Sequence, residues 1–206
     1  MRFYGIMKEK DSEDKTVKQL MMLHRMDKIR TCPVADGWHI RTFRPGEEQI
    51  WLEICRHGLV DENCTDAWDW AIIARENLVP EKDLFFACRE DDVPMATTIG
   101  YVRPSGVGDI HMVACRTDAR GHKLGEALLG RAMAKLKEEM PGENRIIRLT
   151  TDDWRLPAIK GYIRAGFLPV LHDDDMEERW KKVLAELGFN GIPMVTEDGE
   201  DTGIIL

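Results

Sequence analysis

Between residues 109 and 140 an alternating apolar stretch, D-I-H-M-V-A-C, passes through a short polar turn into A-R-G-H-K-L-G and then a long amphipathic pattern. That order predicts a strand, a turn and a helix, with Leu129, Met133, Leu136 and Met140 on one helical stripe. A helix opening straight after such a turn has unpaired N–H groups in its first turn and about half a positive charge at that end. Gly121 lets a ligand approach the backbone with no Cβ in the way. The segment from Arg120 to Gly125 is therefore a candidate anion site, suited to phosphate.

The flanking pattern alternates strands and helices. Residues 1–36 are charged and methionine-rich, and Ser12 is expected to start a helix using Val17, Leu20, Met21 and Leu23. W-H-I-R-T-F-R from Trp38 predicts a strand, and Pro45 suits the first turn of a helix whose face carries Ile50, Trp51, Ile54 and Cys55. Gly58 should end it. Thr65 is expected to cap a second helix with Trp68, Ala71, Ile72 and Arg75, ending at Val79-Pro80. Runs 84–89, 95–102 and 109–115 predict a three-strand antiparallel meander. A helix over 122–140 closes at Pro141-Gly142, followed by a strand at 146–150, a helix from Pro157 to Gly166 and a strand at 167–171. A last helix at 176–187 carries Trp180, Val183, Leu184 and Leu187, and the tail beyond Gly188 fits a strand or a loose segment.

R-G-H-K-L-G resembles the R/Q-x-x-G-x-G/A element with which the GNAT superfamily of N-acetyltransferases holds the pyrophosphate of acetyl-CoA. A second stretch, T-T-D-D-W-R-L-P-A-I-K-G-Y-I-R-A-G-F from Thr150, resembles the family's N-x-x-A-I-x-x-Y followed by G-F, with Ala158, Ile159, Tyr162, Gly166 and Phe167 in place. Two residues depart from the pattern: Lys123 stands where glycine is usual, and Arg155 replaces the asparagine. The resemblance spans residues 37–171. It implies an α/β, layered α+β fold with a GNAT-like mixed, centrally splayed sheet flanked by helices. Residues 1–36 would be an extension and 172–206 a C-terminal helix and tail.

The resemblance also implies site roles. Backbone groups at Val113 and Cys115 would pair with the pantetheine arm, and Arg120, Gly121, His122, Lys123, Leu124 and Gly125 would hold the pyrophosphate, with Arg155 beside the cofactor. Cys115 then needs no reactivity and reads as a small buried hydrophobe. Direct attack of an amine on the thioester builds an oxyanion, which strand N–H groups near Val113 would stabilise. Tyr162, as general acid, would donate to the departing thiolate. An alkyl amine is mostly protonated at neutral pH. His111 is the expected base because strict alternation puts it on the face of Val113, with Asp109, Glu53 and His57 as alternatives acting through water. Trp51, Trp68 and Trp70 are candidate acceptor walls. The expected activity is acetyl transfer to a small-molecule amine, and the alternative is a non-catalytic CoA-binding module.

Charge and composition narrow the partners. A net charge of −8 disfavours a nucleic-acid partner held by a broad basic surface. No apolar run reaches the roughly 20 residues of a membrane span, and the first residues lack the pattern of a secretory leader. Five widely spaced cysteines without a C-x-x-C pair predict reduced thiols in a cytoplasm. Histidines and cysteines lack metal-ligand spacing, so no metal is expected. A homodimer through either end of the chain is left open.

Overall fold

L-F-F-A-C-R forms the strand β3 (Leu84–Arg89) with its first five residues buried. Its side chains alternate between two cores, Phe85 and Ala87 in one and Leu84, Phe86 and Cys88 in the other. Both faces of the sheet are therefore covered, as a nearly continuous apolar run requires. The computed structural model describes residues 18–140, 142 and 145–206. With β4 (Pro94–Val102) and β5 (Gly108–Cys115), β3 makes the expected antiparallel meander, and β2 (Trp38–Thr42) pairs on its other side.

One face carries the helix α1 (Glu48–Cys55) and a π-helical turn, Asp69–Ile73. The other carries α3 (Leu124–Glu139), α4 (Leu156–Ala165) and α5 (Met176–Leu187), which share a core with Leu20, Phe85 and Ile110. Gly100 on β4 lets α3 press onto the sheet: an added Cβ would lie 2.9 Å from that of Ala132. A short helix α2 (Pro80–Asp83) precedes β3. Among the described residues no helix is long and apolar enough to cross a membrane.

The full sheet adds β6 (Ile147–Thr151), β1 (Leu20–His24) and β7 (Leu168–Pro169), in the order β2-β3-β4-β5-β6-β1-β7. Its feature of consequence lies between β5 and β6. These strands pair in parallel only at Gly108↔Ile147 and Asp109↔Arg148, so their C-terminal ends separate and the sheet is splayed at its centre.

Several local expectations are corrected. Residues 20–24 form a strand in place of a helix, hydrogen-bonded to β6 on one edge and β7 on the other. L-M-M-L-H is too short and too uniformly apolar for its period to decide, and burial on both sides favours the extended form. Ser12 and Val17 lie outside the described residues, as does Pro141. The chain then crosses α3 at Gly130, so close that an added Cβ there would meet the Arg30 carbonyl oxygen at 3.3 Å and the Cys32 nitrogen at 3.5 Å, before entering β2. Pro45 sits in the turn ahead of α1, and Thr65 caps nothing: a brief helical stretch becomes the π-helical turn, closed by Ala74 N–H to the Asp69 carbonyl at 2.8 Å. Pro80 opens α2 and does not end a longer helix. The expected strand at 167–171 shrinks to Leu168–Pro169 at the sheet edge, where proline is tolerated. The tail forms a hairpin of β8 (Pro193–Val195) and β9 (Asp201–Ile205), joined to the main chain by a parallel bridge between Val170 and Val195.

Candidate functional site

A 3-10 turn, Thr117–Ala119, leads from β5 into the exposed segment Arg120-Gly121-His122-Lys123. Gly121 has φ +90° and Lys123, the residue before α3, has φ +56°. Lys123 is thus in the left-handed conformation that glycine adopts freely and an L-residue adopts at roughly 1–2 kcal/mol. No side chain caps the helix. The N–H groups of Leu124, Gly125 and Glu126 therefore face outward without an intrahelical acceptor. A Cβ added at Gly121 or Gly125 would meet nothing within 4 Å, so the space over these amides is open. His122 packs its imidazole against Trp38 on β2, ring centroids 5.1 Å apart, which anchors the turn.

Beyond Asp109 the edge of β5 that faces β6 is outside any ladder, which leaves main-chain groups from Ile110 to Cys115 along the wall of the splay. Val113 and Cys115 are half-buried here and pack toward the α3 core. The Cys115 thiol donates to the Arg116 carbonyl at 3.4 Å, and burial raises its pKa, so it is no ready nucleophile.

His111 does not share the face of Val113. Ala114 pairs with Thr97 and His111 with Ile99, so Met112 and Val113 together oppose Thr98 in a bulge, with Met112 at φ +53°. The extra residue turns Val113 to the α3 core and leaves Met112 in the α1 core. His111 lies on that second side, against the Ala71 carbonyl of the π-helical turn. Its Nε2 is buried and has no partner among the described residues. Burial, with Arg75 and Arg103 nearby, pushes the imidazole down to about 3. An unfolded histidine near 6.5 takes up a proton that the folded one refuses until about pH 3. Stability should thus fall as pH drops between those values, by on the order of 1 kcal/mol per unit. His111→Asn should flatten that slope in urea titrations. His24, buried and shifted in the same direction, should leave a residual slope.

The other proposed bases are tied up or peripheral. Asp109 is buried, accepts hydrogen bonds from Tyr101 at 3.2 Å and Arg103 at 2.6 Å, and is pushed up by its burial against the pull of Arg103. His57 is bonded through Nδ1 to the Thr117 hydroxyl at 3.1 Å, and Glu53 is exposed on α1. Of the three tryptophans, Trp51 is fully buried and Trp68 packs between Phe43 and Trp51, so both belong to the core. Trp70, in the π-helical turn, is 40% exposed and can meet a ligand.

Tyr162 projects from α4 into the core shared with α3 and packs against Phe167. Burial pushes its phenol up to about 12, slightly opposed by Arg155, and its hydroxyl has no hydrogen-bond partner among the described residues. Arg155, at the start of α4, does not present its guanidinium outward: it donates to Asp152 at 2.8 Å and to the carbonyls of Gly58 at 2.7 Å and Leu59 at 3.2 Å. Arg120 donates to the adjacent His57 carbonyl at 2.8 Å. Thr117, Trp38 and the carbonyls of 57–59 had no signal in the sequence. Each owes its place to a contact between segments distant along the chain.

His39, Cys88 and Asp92 come close enough to hold an ion. The Asp92 carboxylate already bridges Arg41 at 2.8 Å and Arg44 at 2.5 Å, and burial pushes the Cys88 thiol up to about 11. Two adjacent guanidinium groups and a protonated thiol make this a poor cation site.

Comparison with known proteins fits this geometry. A search of curated protein sequences gave no match. Among solved structures, the chain is similar to a GCN5-related N-acetyltransferase from Sphaerobacter thermophilus, at 21% identity and TM-score 0.58, over 73% of this chain and 47% of that one. It is also similar to a GCN5-related N-acetyltransferase from Kribbella flavida, at 19% identity and TM-score 0.52, over 75% of this chain and 55% of that one. At these identities the likeness concerns the fold, and the chain matches about half the length of each. Residues 46–167, more than half of the chain and including the splay, the α3 N-terminus and Tyr162, match the sequence profile of the Acetyltransferase (GNAT) family. The chain belongs to the GNAT family of acetyltransferases.

Proposed function

We propose that the protein transfers an acetyl group from acetyl-CoA to the nitrogen of a small-molecule amine. The observation that carries this reading is a single conjunction: a splayed sheet whose mouth holds the uncapped N-terminus of α3 and whose α3-side core holds Tyr162. Open space over Gly121 and Gly125 leaves room for a diphosphate against the backbone amides. The free edge of β5 at Val113 and Cys115 can pair with an amide-bearing arm. When bound, acetyl-CoA supplies an activated acyl group as a thioester.

The chain's own residues then orient and stabilise. Main-chain N–H groups near Val113 would stabilise negative charge on the acyl oxygen. Tyr162 remains protonated through the neutral range and donates a hydrogen bond to sulfur. His111 is held neutral and is a weak proton acceptor, so the amine reacts from its deprotonated fraction, and the proton its nitrogen sheds on forming the amide ends on the departing sulfur as the free thiol. With the five cysteines present as free thiols, the protein suits a reducing compartment such as a cytoplasm.

Thiol release from acetyl-CoA in the presence of a panel of amines tests the reading, together with calorimetry of CoA binding. Amine-dependent release with acetylated product is expected. Binding without release on any amine would favour a non-catalytic CoA-binding module. Lys123→Gly is a sharper probe of the anion site because glycine keeps the left-handed turn while the side chain and its ammonium are removed. CoA affinity should fall by about three- to tenfold at low salt, and the difference should shrink as salt rises. Unchanged or tighter binding would show that the ammonium makes no phosphate contact.

A further inference from the structure

Arg155 departs from the family pattern, and its contacts give that departure a purpose. The loop 56–60 follows α1, and three successive carbonyls, at His57, Gly58 and Leu59, accept hydrogen bonds from two arginines. Those arginines belong to opposite lips of the splay. Arg120 follows β5, and Arg155 follows β6. On the β5 side the loop has two further ties, His57 Nδ1 to the Thr117 hydroxyl at 3.1 Å and to the Thr117 N–H at 3.3 Å. On the β6 side Arg155 is the tie, and it is pre-set by Asp152 below it and by the Trp154 indole 4.2 Å from its guanidinium carbon. All three of its side-chain nitrogens are engaged, and a shorter asparagine could not reach both carbonyls.

We propose that Arg155 is a positioning residue that straps loop 56–60 across the open end of the splay and so controls how fast CoA enters and leaves. This rests on the splay being the cofactor channel. An arm lying along β5 toward the α3 N-terminus passes beneath a loop fastened at both lips. Entry then requires one fastening to open, and the single-residue tie at Arg155 is the one that releases without disturbing the Thr117 side.

Stopped-flow tryptophan fluorescence with CoA, calorimetry with CoA and hydrogen exchange of the 56–60 amides would be compared for the wild type, Arg155→Ala and Arg155→Lys. The alanine variant is expected to raise both association and dissociation rates about tenfold, with Kd changed by less than about threefold. Exchange at 56–60 should rise in parallel, and lysine, which keeps a cationic donor, should recover part of both effects. Faster dissociation alone, with unchanged loop exchange, would overturn the strap and make Arg155 a direct ligand of the cofactor. Unchanged rates with faster loop exchange would show a tie that does not gate. A wild type that fails to bind CoA in calorimetry would overturn the channel reading and the gate with it, while the exchange data alone would still report whether Arg155 holds the loop.

Discussion

Tyr162→Phe is expected to lower kcat for acetyl transfer by about a hundredfold or more while leaving the CoA dissociation constant within about twofold. The phenol is buried in the core shared by α3 and α4, beside Phe167, and phenylalanine fills the same space. The substitution therefore removes one hydroxyl and little else. Burial raises the pKa to about 12, well above a thiol near 8.5. Complete proton transfer to a thiolate is uphill across that gap, so the hydroxyl acts chiefly as a hydrogen-bond donor to sulfur as charge develops there. A donor of that kind acts most strongly where water is excluded. Steady-state turnover with an accepted amine, set beside calorimetry with CoA, separates the two effects. Unchanged turnover would remove Tyr162 from the chemistry, and an equal loss in binding would make it a packing residue.

The second large effect concerns stability. Lys135 on α3 is buried with Asp83, which ends α2, and it also donates to the Gly100 carbonyl at 2.9 Å and to Glu139 at 2.7 Å. Asp83 in turn accepts from the Val79 N–H at 2.7 Å. Lys135→Met keeps the apolar stem but leaves a buried carboxylate without its cation, at a cost of about 3–5 kcal/mol. At about 2–4 °C per kcal/mol for a chain of this size, the melting temperature should drop by roughly 6–20 °C. Adding Asp83→Asn removes the stranded charge and keeps an acceptor for Val79, so most of the loss should return. Thermal and urea unfolding of the single and double variants would measure this. A cost below about 1 kcal/mol for Lys135→Met would show that the pair is solvated and contributes little.

α3 and α5 were legible because each follows the helical period over its whole length, and the meander because its three apolar runs are bounded by turn residues. α5 was read with the bounds it has, since Trp180, Val183 and Leu184 mark a single stripe between an acidic start and Gly188. β1 was not legible. Five apolar residues fit either period, and what makes them a strand is the presence of β6 and β7, which come much later in the chain. β7 was legible as a strand over 167–171, but its short extent, Leu168–Pro169, follows from an edge position beside β1, where a proline is acceptable.

At the site, Arg120 to Gly125 and the spacing of Ala158, Tyr162 and Gly166 announced the family, because phosphate binding by a helix N-terminus is a local property of a few consecutive residues. Lys123 stands in place of glycine, and the backbone shows why glycine is usual: the position is left-handed. The placement of His111 failed on one residue. Alternation assumes an unbroken ladder, and the bulge opposite Thr98 inserts a residue that moves His111 to the other face of the sheet.

The sequence by itself determined the order of the central elements, the family and the candidate anion-binding turn, since each depends on residues close together in the chain. Only the tertiary structure decided where β5 and β6 part, after the two pairs Gly108↔Ile147 and Asp109↔Arg148, that His111 and Val113 face opposite ways, and that Arg155 reaches back to Gly58 and Leu59. These depend on which distant backbones come within hydrogen-bonding distance, and that is fixed by how two cores pack on a twisted sheet and by no local pattern of residues.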